Sequence, residues 1–512
     1  MSKLSKSTLP TPTIPNFNEV NRFNVQQLQL VINHLITNAD FVSVDCEFTG
    51  LGENKLTKAP NIEERYGHLS KLVKSHAIVA FGLSIFEKGT ENKNTFKVNN
   101  FNFTMLCSKE FNVNHTSLSF LVDNGFDFNN QFINGIFYTP GEDKMQEKNQ
   151  STKKYAFNQE CNEEIMKQNN AIRSIFSNLL NKPNLKVVIH NGLLDLMFLY
   201  HSFYTDLPLL FSTFITDLTQ MFQGGIYDTK YISEFGLHRE ESSFLAYLFR
   251  NEREQLDFKF SNKAEYLTCE VQNRLSLPSS FAKKEETSTK EVDPQIKSGK
   301  RKTNEVDKPY CENYANHGYC KLNKKCSKTH DLDTILDFQF GESELKKSKK
   351  LKSAKILQQN TQAEKNEVEN GEKATLVKNV IINNVGESTE IERKNNFAKI
   401  KEVEDKLNML KKSLPTYSAE STVERTKVKN PFENYHSACF DAFMTAFVFS
   451  HQRFKYEHFI AGDKHLTKKE TDFEFNKNKI YLMGKDFPLK IEKSMYSKFS
   501  SGHLKKWNEL FG

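Results

Sequence analysis

Two acidic residues, Asp45 and Glu47, stand two positions apart in a run with the composition of a β-strand, FVSVDCEF. Side chains at this spacing leave a strand by the same face, so both carboxylates would point into one space. Two such carboxylates repel each other unless a cation lies between them, and hard oxygen ligands favour Mg²⁺ or Mn²⁺. A solvated acidic face on an edge strand would have the same pattern, so the pair alone leaves both interpretations open.

A third acid, Asp195, stands in the apolar run LLDLMFLY, which predicts a helix over 193–204 directly after a buried strand. A carboxylate is costly to bury without a partner, and helices that follow parallel strands open at the sheet edge where α/β folds build their sites. Local capping or pairing is the alternative interpretation. Asp217 and Asp228 are close enough in sequence to compete with Asp195 for the same role.

His436 and Asp441 form an H-x₄-D pair at the start of an apolar helix over 442–449. Five helical positions amount to roughly 500°, so both side chains could not face one site from a straight helix. We therefore predict that His436 lies on the preceding loop, over the site, and that Asp441 lies in the first helical turn. A histidine beside a water nucleophile suits general-base chemistry near neutral pH, although a lone histidine is as often an ordinary polar residue.

A small cysteine-rich module has the spacing C-x₈-C-x₅-C-x₃-H, formed by Cys311, Cys320, Cys326 and His330. Three thiolates and an imidazole suit tetrahedral Zn²⁺, and so short a segment needs a metal to fold. His317 is a rival ligand with the wrong spacing. The spacing resembles that of CCCH fingers, whose relatives mostly bind single-stranded RNA. By this resemblance, the residues expected to stack on bases or to meet phosphates are Tyr310, Tyr314, Tyr319, Lys321, Lys324, Lys325 and Lys328. A purely structural zinc knuckle is the alternative.

Short strand-like runs alternate with helical patterns along the chain. This alternation predicts one α/β domain that positions these residues, with a mixed sheet flanked by helices and split by a long insertion. Further strands are expected at 77–86, 96–106 and 185–189, with strand-and-turn character at 478–496. The expected boundaries are a flexible tail at 1–20, the first part of the α/β domain at 21–281, a basic linker at 282–307, the finger at 308–332, a largely disordered linker at 333–425 and the second part of the α/β domain at 426–512. Within the second linker, 391–414 could form an amphipathic helix.

Bulk properties narrow the class of protein. The 512-residue chain carries a formal charge of +7, and its lysine runs at 297–302 and 346–355 are typical of nuclear import signals, RNA contacts or solvated linkers. Eight thinly spread cysteines do not form a secreted disulfide framework, which favours a reducing compartment. The sequence offers neither a signal-peptide core nor a membrane-length apolar run, so we expect a soluble intracellular protein.

The segments FVSVDCEFTGLG, VVIHNGLLDLMFLYHSFYTDLP and HSACFDAFMTAFVF resemble the three motifs of the DEDD exonuclease superfamily, in its histidine-containing branch of CAF-type deadenylases. IEERY, FGLSIF, GFDFN, GIYDTKYI and NKIYLMGKDFPL extend the resemblance. It implies a ribonuclease-H-like fold, a pair of Mg²⁺ ions, RNA 3′ ends as substrate and 5′-nucleotides as product. By the same resemblance, Asp45 bridges the metals, Glu47 and Asp441 hold the nucleophile-side ion, Asp195 holds the other and His436 is the base.

The motif alignment favours Asp195 over its rivals and makes Asp228 a turn residue. Cys439 stands where relatives have glycine, which could shift the histidine loop and affect the rate. A CCCH finger inserted between the second and third motifs resembles a nuclear branch of the family, which implies trimming of oligoadenylated small nuclear RNAs in the nucleus, nucleolus, Cajal bodies or speckles. A non-catalytic RNA-binding scaffold and a DNA exonuclease are the rival functions, and a homo-oligomer stays an open prediction.

Overall fold

The computed structural model describes residues 15–52, 54–90, 94–142, 156–236, 240–261, 267–275, 310–322, 325–339, 436–460, 467 and 471–512. One compact unit comprises 1–275, 303–336 and 429–512, so the finger segment belongs to the same unit as both nuclease-like parts. A second unit comprises 276–302 and 337–428. The two lysine runs and the amphipathic segment at 391–414 lie outside the described residues.

Among the described residues, ten strands build the sheet structure. They are β1 (Phe17–Val20), β2 (Phe41–Phe48), β3 (Ile78–Lys88), β4 (Thr95–Cys107), β5 (Ile136–Tyr138), β6 (Lys186–Ile189), β7 (Ile226–Asp228), β8 (Thr268–Val271), β9 (Lys479–Ile480) and β10 (Leu489–Lys490). The main path runs β1-β4-β3-β2-β6-β7-β9-β10, while β5 and β8 also pair with β4.

The centre of this sheet has the order β4-β3-β2-β6-β7. β3 is antiparallel to both of its neighbours, while β2, β6 and β7 are parallel to one another. This is the mixed sheet of a ribonuclease-H-like fold, so the expected fold class is confirmed. Because β2, β6 and β7 run in the same direction, their carboxyl ends meet at one edge of the sheet, where ligand sites form in open α/β sheets.

Helices cover the sheet and connect its strands. They are α1 (Val25–Asn38), α2 (Asn54–Thr57), α3 (Ile62–Ser75), α4 (His115–Asp123), α5 (Phe128–Asn134), α6 (Ala156–Leu180), α7 (Leu193–Leu199), α8 (Phe211–Met221), α9 (Thr229–Phe235), α10 (Leu245–Ser261), α11 (Glu312–His317), α12 (Ala438–Lys455) and α13 (Ser501–Phe511). No helix among the described residues is long and apolar enough to cross a membrane.

The predicted tail is wrong at its end, because 17–20 form β1. This strand pairs in parallel with 100–103 of β4, and its Val20 is fully buried. The Asn18 side chain donates to the Asn100 carbonyl oxygen over 3.0 Å, which fixes the register. The four residues of β1 are too few and too mixed in polarity to show the alternation of a strand. The strand forms because the edge of β4 is available for pairing.

The predicted helix over 193–204 changes character midway. α7 ends at Leu199, and Tyr200–Tyr204 form a π-helical turn in which the Thr205 N–H donates to the Tyr200 carbonyl oxygen over 3.0 Å. Downstream of the finger, the chain is helical over 332–339 and both Ile335 and Leu336 are buried. The described chain is therefore ordered beyond the predicted finger boundary at 332.

Candidate active site and zinc site

The carboxylates of Asp45, Glu47 and Asp441 converge, although Asp441 is almost 400 positions away in the chain. One oxygen from each of the three lies within 4.8 Å of the others. β2 supplies the first two from one face of the strand, and α12 supplies the third from its first turn. On the other face of β2, Val42, Val44, Cys46 and Phe48 are buried. The predicted alternation therefore holds, and the three acids face one space.

A close approach of α12 to β3 brings Asp441 to the strand. Gly82 pairs with Asp45 across the β2–β3 ladder, and a Cβ atom on Gly82 would lie 2.0 Å from the Ala438 carbonyl oxygen. The Ser43 hydroxyl donates to the Ala442 carbonyl oxygen over 2.6 Å, which ties the same turn to β2. Gly82 lies in the FGLSIF segment, but the local sequence gives no reason for a glycine there, since its importance comes from a partner in the third motif.

Asp195 reaches the same edge of the sheet from the first turn of α7, directly after β6. Its Oδ1 atom accepts a hydrogen bond of 3.1 Å from the backbone N–H of Cys46, which lies between the two acids of β2. The negative charge of Asp195 also contributes to the raised pKa of Asp45. The structure thus brings all four predicted acids into one neighbourhood.

The electrostatics of this cluster favour a bound cation. Burial raises the pKa of Asp45 well above its usual value, and the charges of Asp195, Asp441 and Glu47 raise it further. Burial likewise raises the pKa values of Asp195 and Asp441 to about 7. The charges that act on Asp45 from the described residues are all negative. Divalent cations bound by carboxylate oxygens would remove this repulsion, so the residues present fit such ions.

His436 lies on the loop before α12, as the spacing predicts, and has a positive φ of 71°. Its backbone N–H donates a hydrogen bond to the Asp441 carboxylate, which places the loop beside the cluster. Burial of the ring lowers the pKa of His436, which favours the neutral form that can accept a proton. The ring of Phe120 on α4 meets the His436 ring nearly edge-on, with centroids 4.9 Å apart.

Phe120 is a candidate site residue that the sequence alone did not identify. Phe120 stays 46% exposed even though its ring contacts His436, so part of it is open to solvent next to that histidine. The residue lies in an amphipathic helix, where an aromatic residue is usually taken as part of the core. Only its contact with a residue of the third motif reveals its place.

The two rival acids have structural roles. Asp228 caps α9, and its carboxylate accepts backbone N–H groups from Asn191, Lys230, Tyr231 and Tyr481 at 2.9–3.3 Å. Asp228 thereby fixes the loop at 190–192, which leads into α7. Asp217 accepts the Tyr200 hydroxyl and the Ser500 N–H, both at 2.9 Å, and fastens the segment before α13 to the core.

The four cysteine and histidine ligands of the predicted finger also converge. One atom each from Cys311, Cys320, Cys326 and His330 lies within 4.8 Å of the others. The buried Nε2 atom of His330 has no hydrogen-bond partner among the described residues, as expected of a nitrogen that binds a metal. His317 is outside this group. The donor set therefore fits a tetrahedral Zn²⁺ ion.

The aromatic residues of the finger differ in exposure, which corrects the predicted stacking set. Tyr310 is buried, at 3% exposure, and forms a bridge with Thr329. Tyr314 stacks on the His330 ring, with centroids 4.5 Å apart and planes inclined by 9°. Tyr319 is 66% exposed, and it is the member of the three whose ring is open to a base. Lys324 lies outside the described residues, while Lys321, Lys325 and Lys328 are exposed.

Comparison with protein families gives one match that covers most of the chain. The profile described as CAF1 family ribonuclease matches residues 20–449. This range contains Asp45, Glu47, Asp195, His436 and Asp441.

Individual relatives match over shorter ranges. The poly(A)-specific ribonuclease PARN of Danio rerio is 30% identical over 141 residues, which are 25% of this chain and 21% of the relative. The poly(A)-specific ribonuclease PNLDC1 of Mus musculus is 29% identical over 183 residues, 33% of this chain and 31% of the relative. The matches thus span between a fifth and a third of these relatives. Among solved structures, the Mg²⁺- and Mn²⁺-bound form of S. pombe Pop2p is 19% identical to this chain, with a TM-score of 0.31. The match covers 46% of this chain and 82% of the Pop2p chain.

Proposed function

Since this chain belongs to the CAF1 family of ribonucleases, we propose that it is a 3′-to-5′ exoribonuclease that depends on divalent metal and prefers adenosine tails. The convergence of Asp45, Glu47 and Asp441 on one space is the observation that carries this proposal. Three clustered, desolvated acids form a poor surface for an RNA backbone unless cations offset their charge. The same acids become a phosphodiester hydrolysis site once those cations are bound.

Asp45, Glu47, Asp195 and Asp441 would hold a pair of Mg²⁺ or Mn²⁺ ions, which activate water and stabilise the leaving oxygen when bound. His436 would accept the proton of the attacking water, since its backbone contacts Asp441 in the cluster and burial lowers its pKa. The water oxygen would form a bond to the terminal phosphorus while the bond from that phosphorus to the bridging 3′ oxygen breaks, and the 3′ oxygen would take up a proton. A 5′-nucleotide leaves, and the shortened RNA keeps a free 3′ hydroxyl.

The exposed ring of Phe120 beside His436 would stack on a base near the 3′ end. Stacking on an aromatic face tolerates any base and therefore adds affinity without reading sequence. The finger, with a structural Zn²⁺ ion held by its four ligands, would contact single-stranded RNA through Tyr319 and the exposed lysines Lys321, Lys325 and Lys328.

The substrates we propose are oligoadenylated 3′ ends of small nuclear RNAs, processed in the nucleus. Two features support this finer proposal, namely a CCCH finger between the second and third motifs and the two lysine runs. This arrangement resembles that of the "target of early growth response one" protein. Sequencing of RNA 3′ ends after depletion of the protein tests the proposal, which fails if small nuclear RNA tails keep their length.

The direct test of the activity uses 5′-labelled oligo(A), oligo(U) and oligo(dA) with Mg²⁺. The wild type should shorten oligo(A) stepwise from its 3′ end, and Asp45→Ala should be inert. Glu509→Gln, which changes an exposed acid on α13 outside the cluster, should match the wild type. If wild type and Asp45→Ala are equally inert while both bind RNA, the chain is a non-catalytic scaffold. Preferential digestion of oligo(dA) would instead indicate a DNA exonuclease.

A further inference from the structure

The finger packs against the nuclease part through the loop before α10. The Ser242 hydroxyl donates to the Asn316 carbonyl oxygen over 3.0 Å. A Cβ atom on Gly318 would lie 2.9 Å from the ring of Phe244, so glycine allows a close approach between the two segments. Further along the chain, Arg250 of α10 forms an ion pair with Asp333. Packing, a hydrogen bond and an ion pair therefore hold the finger at this place.

The aromatic rings of this interface lead directly to the predicted zinc site. Phe244 meets Tyr314 nearly edge-on, with centroids 6.1 Å apart. Tyr314 in turn stacks on His330, which is one of the four candidate zinc ligands. Because a bound metal fixes the orientation of its imidazole ligand, it also fixes the ring on which Tyr314 rests. The surface that the finger offers to Phe244 thus depends on the metal.

On the nuclease side, α10 packs on the helix that carries Asp441. The ring of Phe249 contacts three rings of α12, those of Phe440, Phe443 and Phe447, with centroids 5.0–6.0 Å apart. Phe440 directly precedes Asp441 in the first turn. At the other end of α12, Lys455 forms ion pairs with Glu240 and with the buried Glu252 of α10.

The same loop also reaches α9. The Lys230 ammonium group donates to the Ser243 hydroxyl over 2.8 Å, and Ser243 lies between the two residues that contact the finger. Lys230 stands in the first turn of α9, which Asp228 caps. Asp228 also receives the Asn191 N–H of the loop that leads to Asp195. Contacts therefore run from the finger toward both helices that present metal-binding acids.

We infer that zinc in the finger positions the nuclease site, with Phe244 and Arg250 as positioning residues between the zinc site and α12. This inference rests on the proposed function and adds that zinc in the finger regulates hydrolysis at the nuclease site. Without zinc, Tyr314 loses the fixed ring behind it, the contact with Phe244 loosens, and α10 no longer holds the first turn of α12 in place. A finger joined only by linkers would bind RNA and leave hydrolysis of very short substrates untouched.

The test uses the full chain and tri-adenylate, which is too short to need a separate RNA-binding module. Cys320→Ser removes a zinc ligand, and the double variant Phe244→Ala/Arg250→Ala breaks the interface but keeps all four ligands. Asn313→Ala is the matched control, since that side chain is exposed on α11 of the finger and has no part in the zinc site or the interface. Zinc content, kcat on tri-adenylate and amide hydrogen exchange of α10 and α12 are measured for each variant.

We expect Cys320→Ser to lose zinc, and the double variant to keep it. Both should lower kcat by roughly 10- to 100-fold, the scale on which small misplacements of reacting groups act, and both should speed exchange in α10 and the first turns of α12. Asn313→Ala should leave all three readouts unchanged. Wild-type kcat and exchange in a zinc-free Cys320→Ser chain would overturn the inference.

Two measures keep the outcomes separable. If Cys320→Ser fails to fold, zinc is removed from folded wild type with a zinc-selective chelator and Mg²⁺ is then restored, with the same expected changes in exchange. If no form of the protein hydrolyses tri-adenylate, the proposed function fails, while the exchange of α10 and α12 still decides whether zinc acts on the nuclease part.

Discussion

The Ala438 carbonyl oxygen occupies the space where a side chain on Gly82 would begin. Gly82 pairs with Asp45 in the ladder, and Ala438 is the first residue of the helix that carries Asp441. This contact between a glycine and a helix start sets the distance at which acids from the first and third motifs meet.

Gly82→Ala should therefore lower turnover on oligo(A) by about 100-fold or more, because α12 must shift away from β3 to admit the methyl group. The free energy of unfolding should fall as well, as expected for overpacking in a core. Gly67→Ala is the matched control, since no atom lies within 4 Å of a Cβ there and α3 favours alanine. Normal turnover of Gly82→Ala would show that the distance between β3 and α12 does not matter.

Asp45→Asn should abolish turnover and yet stabilise the fold when metal is absent. Removing one charge relieves the repulsion from Asp195, Asp441 and Glu47. The expected gain in free energy of unfolding, in the presence of a chelator, is on the order of 1 kcal/mol, about one pKa unit of interaction. Mg²⁺ should raise the melting temperature of the wild type more than that of the variant. A variant less stable than the wild type under chelation would contradict this account of the cluster.

Asp228→Asn should have the opposite effect on stability. The Asp228 carboxylate accepts four backbone N–H groups, and an amide offers one oxygen in place of two. We expect a loss of about 1–3 kcal/mol in urea unfolding, the usual cost of leaving buried donors unsatisfied. If Asp228 were instead a metal ligand, the variant would lose metal binding without this loss of stability.

Phe120→Ala should raise KM for oligo(A) several-fold with little change in kcat, because its ring is placed to bind a base and not to move a proton. Phe120→Trp should restore KM, since it keeps an aromatic face. An equal fall in kcat for the alanine variant would mean that the ring instead orients His436. Steady-state kinetics on oligo(A) separate the two outcomes.

His503 should make stability depend on pH. The Tyr204 hydroxyl and the Gln220 side-chain oxygen both lie 2.9 Å from its ring nitrogens, and burial lowers the pKa of His503 from 6.5 to about 4. The unfolded chain therefore binds a proton between these pH values that the folded chain does not bind. Stability should fall as the pH drops from 6.5 to 4, and His503→Gln should lose less between pH 7.5 and pH 5 in urea unfolding. Equal losses would contradict the assignment.

The sequence was informative where the chemistry follows a local period. Two positions on a strand place Asp45 and Glu47 on one face, and five positions across a helix start separate His436 from Asp441 in the way that the structure has them. The metal-ligand spacing of the finger likewise predicted which four residues converge.

Long-range packing was not predictable in the same way. The contact of Phe244 with Tyr314 joins residues 70 positions apart, and neither residue belongs to a periodic pattern that meets the other. The role of Gly82 depends on Ala438, and β1 exists because β4 offers an edge. Each depends on a surface that forms only when the chain has folded.

Binding of Mn²⁺, followed by electron paramagnetic resonance on protein whose finger is already loaded with zinc, tests the metal site most directly. The account predicts that wild type binds a pair of Mn²⁺ ions close enough for their spins to couple, and that Asp441→Asn loses this coupled signal. Wild type that binds no Mn²⁺, or that gives the same spectrum as Asp441→Asn, would show that the converging carboxylates do not form a metal site.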